Sequence, residues 1–314
     1  MKVLIVCSCN FHDFEFSINQ AFIFEQSEAL ANYFGIQYET FFIKGKGIFG
    51  YLTASILLRK FLKYNKFDVI HAHFGLSGLC ASLQRSIPVV ITFHSGEVLT
   101  RHGKYLSSLA SLLSTANICV NRRTNDLLFF KNKNNPVIPC GIDMEKSLPI
   151  KMYEARKLLG FAKAEHIILF GGSIENTRKN FELLNEAIRL ESTLKNVNII
   201  ELKGFRREQV TLLLNACNVM VLPSLAEGSP QIIKEAMACN CPIVATDVGD
   251  IREVIGDTEG CYITSFDPAD VAEKIKLALA FGKRTNGREK IGHLDNKIIA
   301  EKIMGVYKSV LMTK

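Results

Sequence analysis

The chain has no run of 18 or more apolar residues, so no segment has the length and hydropathy of a membrane-crossing helix. It also has no C-x-x-C pair. Cys7/Cys9 and Cys239/Cys241 each enclose a single residue and the other five of the nine cysteines are scattered, which does not match the paired spacings of zinc sites. Buried, reduced thiols in a cytosolic protein are expected instead. A signal peptide is not expected either, because Met1 leads straight into the strand-like run 3–6 with one lysine and no small-residue cleavage site. What is present is ordinary globular composition: 48% hydrophobic and 22% charged residues exclude disorder, and 314 residues are too many for a disulfide-held scaffold. At roughly 100–200 residues per domain, that length predicts two domains.

The net charge of +7 is uneven: residues 1–150 carry 15 Lys and Arg against 10 Asp and Glu, and residues 151–314 carry 23 against 21. A basic first half suits anionic lipid, a phosphorylated substrate or nucleic acid, and charge alone does not choose among them.

Short apolar runs alternate with helical patterns. Strands are predicted at 3–7, 38–43, 69–73, 89–93 and 118–120, then at 167–170, 197–202, 219–222, 243–245 and 261–263. Helices are predicted at 17–34, 51–64, 179–191 and 230–239. Continuous apolar strands each followed by a helix imply parallel sheets covered on both faces, hence an α/β class with two Rossmann-like halves. The pattern restarts near Ile167 after a loop-rich stretch, 131–149, that holds three of the eight prolines. The predicted domains are 1–150 and 151–295. Residues 296–314 form a closing helix that packs back toward the first domain, its apolar stripe at Ile299, Ile303, Val306, Tyr307 and Val310.

Two motifs lead away from the chemistry. Gly45-Lys46-Gly47-Ile48-Phe49-Gly50 matches G-x-G-x-x-G, but it follows the second strand rather than the first, and Asp68 precedes a strand where a ribose-binding acid should follow one. His71 and His73 share one strand face without a third metal ligand at a convincing spacing, so a pair lining a cleft is the better reading.

The informative segment is 226–254. Ser229 suits an N-cap and Pro230 the first helical position, which leaves the N–H groups near Ile232 and Ile233 at the end of a strand with the helix macrodipole behind them. That arrangement is a ready diphosphate site. Glu227 stands just ahead of this helix and Glu235 nearly two turns into it; carboxylates are strong acceptors for sugar and ribose hydroxyls.

Here the chain resembles the GT4 glycosyltransferases of the GT-B fold, whose signature is E-x7-E followed by A-M-A-x-G-x-P-V-I-A-S/T-D-x-G-G-x-x-E. The matching run is Glu227…Glu235-Ala-Met-Ala-Cys-Asn240-Cys-Pro242-Ile-Val-Ala-Thr-Asp247-Val-Gly249-Asp250-Ile-Arg-Glu253. Gly171-Gly172 with Arg178-Lys179, the stretch 202–223, and the first-half segments around His71, His94 and Gly141 also have family counterparts. The resemblance implies two Rossmann-like domains with parallel sheets facing a central cleft. It implies donor-binding roles for Gly171, Gly172, Arg178, Lys179, Gly204, Phe205, Glu227, Ile232, Ile233 and Glu235, and catalytic roles for His94, Glu227 and Lys179. Four departures stand out: Ser173 where the family carries a second cation, Pro230 and Asn240 at positions that are commonly glycine, and no glycine-rich loop in 10–17.

The implied reaction moves a hexosyl group from a UDP- or GDP-sugar to a saccharide or polyprenyl-linked acceptor in cell-surface polysaccharide biosynthesis. It proceeds with retention, and the leaving phosphate takes the acceptor's proton. No cofactor and no metal are expected, since the chain has no Asp-x-Asp triplet to hold a metal–diphosphate. The segment 49–66 interleaves apolar residues with Arg59, Lys60, Lys63 and Lys66; it reads equally as a helix lying on an anionic membrane or as one with a solvated basic face. No nucleic-acid partner is expected, and the location is cytoplasmic, with room for peripheral membrane contact. Two other readings remain at this point: a donor-binding protein with weak or no activity, motivated by Ser173, and a nicotinamide oxidoreductase using Gly45–Gly50.

Overall fold

The computed structural model describes residues 1–10, 12–130, 135–162 and 166–312. Residues 131–134, which open the loop-rich stretch, lie outside the described residues. The chain divides into two compact units, Met1–Gly141 with Asn296–Lys314, and Ile142–Asp295.

The first unit holds β1 (Lys2–Ser8), β2 (Gln37–Ile43), β3 (Val69–His73), β4 (Val89–Phe93) and β5 (Ala116–Cys119), all parallel, in the order β2-β1-β3-β4-β5. Its side chains alternate between two cores, as strands buried on both faces require. Val3, Ile5 and Cys7 enter one core, and Leu4 and Val6 enter the other. The Asn296–Met312 helix completes the first of these cores with Ile299, Ile303, Val306, Tyr307 and Val310, packed with Ile23 and Leu30 of the Ala21–Phe34 helix. The predicted helix 17–34 is broken at Gln20, whose backbone (φ −131°, ψ 41°) separates a short turn Phe16–Asn19 from Ala21–Phe34.

The second unit repeats the design with β6 (Ile167–Phe170), β7 (Asn198–Glu201), β8 (Val219–Leu222), β9 (Ile243–Thr246) and β10 (Cys261–Thr264), ordered β10-β9-β8-β6-β7. Read from the other edge this is the same winding as the first unit. Ile167 and Leu169 face one core, Ile168 and Phe170 the other. In such sheets ligands bind beyond the strand C-termini where the strand order reverses, here between β1 and β3 and between β6 and β8.

The boundary between the units falls at Gly141 rather than at 150. Residues 142–150 are tied to the second unit by hydrogen bonds: the Ile142 N–H donates to the Leu294 carbonyl (3.0 Å), and Arg288 donates to the carbonyls of Met144 (2.6 Å) and Ser147 (2.7 Å). Asn215 joins the Ile150 N–H and the Leu148 carbonyl (2.9 and 3.0 Å). All nine cysteines are free thiols, eight of them buried. Among the described residues no helix is long and apolar enough to cross a membrane.

Candidate functional site

In the second unit the turns after β6 and β8 lie at the reversal of strand order. After β6 the chain passes through Gly171 and Gly172, whose N–H groups bond the carbonyls of Val221 (2.9 Å) and Phe170 (2.8 Å). A Cβ on Gly172 would sit 2.7 Å from Lys179 Cγ, so glycine is required there to let the lysine stem lie across the turn. Lys179 ends the short 3-10 turn Thr177–Lys179 rather than opening a helix; Asn180 follows at φ 57°, and the helix proper is Phe181–Leu190. Lys179 Nζ donates to Glu227 Oε1 at 2.7 Å, and Ser224 Oγ donates to the same oxygen at 2.8 Å. The side chains of Lys179 and Glu227 are only 17% and 10% exposed, so this charge pair is well shielded. Arg178, by contrast, is exposed, and it is its backbone carbonyl that meets the second strand turn, accepting from the Leu225 N–H at 2.9 Å.

The helix after β8 spans Gln231–Ala238 with Pro230 in the N-cap position, one residue later than the sequence suggests. Ser229 does not cap it, because its hydroxyl is turned to the Asp250 carboxylate. The Ile233 N–H is bonded back to the Pro230 carbonyl at 3.2 Å, while the Ile233 side chain is fully buried and that of Ile232 partly so. Glu235 is buried along this helix and ion-pairs with Arg207, the first residue of the Arg207–Ala216 helix. Gly204 (φ +77°) and Phe205 (39% exposed) form the open loop just before that helix.

The sequence reading did not assign Ser224, Arg207, Lys234 or Asp250 to the site. Lys234 carries a signal in retrospect, as a lysine embedded among Ile233, Ala236 and Met237. Arg207 carries none, because nothing local to it names a partner 28 positions on.

In the first unit, His71 and His73 do not line an open cleft. Both are fully buried, stacked 4.4 Å apart. His71 lies between Tyr307 Oη (2.6 Å) and Thr92 Oγ1 (2.7 Å), and burial pushes its pKa down to about 3, so it is a neutral core residue. His73 Nδ1 is 3.0 Å from His94 Nε2, and His94 sits against Phe22 and Phe74 with its Nδ1 3.7 Å from Cys140 Sγ. The non-glycine residues Phe74 and Ser95 that follow β3 and β4 have φ of 72° and 78°. Such backbone persists where surrounding structure over-determines it, commonly at functional sites. Among the described residues no group of three or more His, Cys, Asp and Glu could hold a metal ion.

Glu97 accepts the His94 N–H at 2.8 Å, yet burial pushes its carboxyl up to about 7 from 4.5. A raised carboxyl contributes stability that is fully present below its unfolded pKa of about 4.5 and is lost as pH rises toward the folded value of about 7. Glu97→Gln is therefore expected to gain Tm relative to the wild type as pH rises from about 5 to 8, read by thermal melts across that range. A constant offset would show that Glu97 is not the buried acid described here.

The Gly45–Gly50 motif follows β2, the edge strand, away from the β1/β3 reversal a dinucleotide fingerprint needs. The Gly47–Tyr64 helix exposes Phe49, Leu52, Ile56 and Leu57 alongside Arg59, Lys60 and Lys63. Beside it lies an apolar cavity of about 280 Å³, lined by Tyr51, Leu52, Leu76, Leu79, Leu83 and Leu106.

Residues 166–280 match the family described as Glycosyl transferases group 1, and residues 20–146 match Glycosyltransferase Family 4. The chain is 26% identical to an uncharacterised glycosyltransferase of Methanocaldococcus jannaschii, over 84% of this chain and 81% of that protein. It is 25% identical to the UDP-Gal:alpha-D-GlcNAc-diphosphoundecaprenol alpha-1,3-galactosyltransferase of Escherichia coli, over 75% of this chain and 74% of that protein. In fold it is similar to sucrose-phosphate synthase of Thermosynechococcus elongatus, with a TM-score of 0.85, 18% identity and full coverage of both chains.

Proposed function

The chain is a glycosyltransferase of the GT4 type with the GT-B fold, and from that premise we propose that it moves a hexosyl group from a nucleoside diphosphate sugar to a lipid-linked saccharide, with retention. The observation that carries this reading is the Lys179–Glu227–Ser224 cluster at the β6/β8 reversal, next to the start of the Gln231–Ala238 helix.

The sugar's C1–O bond to the diphosphate breaks while C1 bonds the acceptor oxygen, and the acceptor's proton goes to the leaving diphosphate. Negative charge grows on that diphosphate, and the Lys179 ammonium together with the helix macrodipole is placed to stabilise it. Glu227 accepts hydrogen bonds from the transferred sugar and Glu235 from the ribose, which requires Arg207 to share or release Glu235. Gly204 and Phe205 offer an exposed loop for the base. All the diphosphate charge is met by protein groups in this scheme, so transfer should survive chelation by EDTA.

A UDP-sugar is the first donor to test, since the Escherichia coli relative is named for UDP-Gal. A thermal-shift panel of UDP-, GDP- and ADP-sugars identifies the donor, because a ligand that binds only the folded state raises Tm by an amount that grows with the logarithm of its concentration over Kd. No shift with any of them would sink the reading.

The acceptor is assigned to the first unit. A helix that exposes Phe49, Leu52, Ile56 and Leu57 beside three cations is better suited to an anionic lipid surface than to water, and that relative is named for a diphosphoundecaprenol acceptor. Leu52→Glu/Ile56→Glu is expected to lower binding to phosphatidylglycerol vesicles about 100-fold or more, each lost side chain being worth about 1.5–3 kcal/mol, without changing the nucleotide-sugar shift. Equal sedimentation of variant and wild type with those vesicles would reject the membrane contact.

A further inference from the structure

Lys234 is a lysine with 0% of its surface exposed, on a helix whose neighbouring residues are core. Helical side chains lean back toward the helix N-terminus, and this one reaches Ser229, its Nζ donating to Ser229 Oγ at 2.6 Å. Ser229 Oγ donates in turn to Asp250 Oδ2 at 2.5 Å. Asp250 is itself 4% exposed and precedes the Ile251–Ile255 helix, but its carboxylate makes no cap bond to that helix. Its N–H instead donates to the Gly228 carbonyl at 3.2 Å. Next to it, Gly249 has φ +66°, and a Cβ there would stand 2.3 Å from the Gly228 oxygen and 3.0 Å from that of Glu227. The turn 249–250 is therefore pressed onto the backbone of the turn that carries Glu227.

Two of the residues involved, Pro230 and Asp250, stand at positions where the GT4 family commonly has glycine. In space the departures are one feature. At these two turns this chain has a proline and a buried Lys–Ser–Asp chain.

A buried charge pair is a poor source of stability, since apolar residues of similar volume often do as well or better. What it supplies is a fixed geometry, because each charge is expensive to leave unpaired.

We propose that Lys234, Ser229 and Asp250 are positioning residues that hold the Glu227–Ser229 turn in the shape that binds the nucleotide-sugar diphosphate. The proposal rests on the donor site assigned above. Lys234 acts through Ser229 and Asp250 through both Ser229 and the Gly228 carbonyl, so the network sets donor affinity from behind the turn.

The test measures Tm and the Kd values of UDP, GDP and ADP for a set of variants. Lys234→Met and Asp250→Gly each strand a buried charge and are expected to lose Tm. The double variant Lys234→Leu/Asp250→Gly removes both charges and should recover Tm, yet bind the preferred nucleotide at least fivefold more weakly than the wild type. Ser229→Ala, which removes no charge, should also weaken binding about fivefold with a smaller loss of Tm than either single charge variant, and Ser229→Thr, which keeps the hydroxyl, should restore it.

Native affinity in Ser229→Ala, or in a folded double variant, would overturn the proposal and make the network purely structural; the serine pair decides it alone if the double variant does not fold. Lys179→Ala is measured alongside. If it binds all three nucleotides as the wild type does, or if the wild type binds none of them, the donor-site assignment fails and takes the proposal with it. If Lys179→Ala loses affinity while the network variants do not, only the positioning role fails.

Discussion

Lys179→Ala is expected to lower transfer by about 10²–10³-fold in kcat, the loss seen when one preorganised charge or donor is taken from a developing anion. The ammonium is held 2.7 Å from Glu227 in a shielded pair, so it is already oriented before any donor arrives. Removing it also strands the Glu227 carboxylate, whose remaining partner is the Ser224 hydroxyl at 2.8 Å, and a fall in Tm should accompany the loss of rate. Glu227→Gln keeps the shape and gives up the charge, and its loss should be seen in kcat as well as in donor KM if Glu227 holds the sugar hydroxyls as proposed, because those belong to the group in flight. Gly172→Ala offers an independent check. Its methyl group would collide with the Lys179 stem, so it should reproduce part of the Lys179→Ala defect with both charged residues still present in the chain. The discriminating measurement is steady-state kinetics with varied donor for all three. Wild-type kcat in both Lys179→Ala and Glu227→Gln would remove these residues from the chemistry.

The second large effect concerns stability. Tyr307 is fully buried among Val3, Ile5 and Leu30, and its hydroxyl meets the neutral His71 at 2.6 Å. Tyr307→Ala is expected to cost about 3–5 kcal/mol for the lost aromatic volume, with about 1–3 kcal/mol more for the buried imidazole left without its partner. Against a typical total of about 5–15 kcal/mol, that brings the first unit to the edge of unfolding. Tyr307→Phe keeps the volume and should lose only about 1–3 kcal/mol. A chain ending at Asp295 removes the whole stripe from Ile299 to Val310 and is expected to leave the first unit unfolded, while Ile142–Asp295 keeps its own two cores. Calorimetry reads the effect as a lowered Tm and as loss of the first unit's share of the unfolding enthalpy. A Tyr307→Ala melt within a degree or two of the wild type would contradict the closing role of this helix.

The strands were readable because they are short, largely apolar runs bounded by polar turns. Residues 69–73, 89–93, 167–170 and 219–222 are strands to the residue. The relation of Glu227 to Glu235 was readable for a related reason, since eight positions from the turn before a helix into that helix is a local fact. The helix start was misjudged by one residue because Ser229 has the right chemistry for an N-cap, and only the approach of Asp250 diverts its hydroxyl. The boundary at 150 was misplaced for a similar reason: a loop-rich composition marks a linker but not which unit holds it, and Arg288 and Asn215 decide that from far along the chain.

The sequence by itself determined the class of fold, the repetition of one α/β design, and the placement of Glu227 and Glu235 about a helix start, because these rest on periodicity and short spacings that any folded version of the chain must satisfy. The tertiary structure alone decided which charges meet. Lys179 finds Glu227 across 48 positions, Arg207 finds Glu235 across 28, and Lys234 finds Asp250 through Ser229. The first and third pairings follow from the strand order, in which β6 lies beside β8 and β8 beside β9, so that loops distant in sequence emerge side by side at the same end of the sheet, while Arg207 reaches Glu235 from beyond β7, which pairs with β6 and not with β8. A spacing rule cannot express that adjacency, because parallel crossovers put neighbours in space a whole helix apart in the chain.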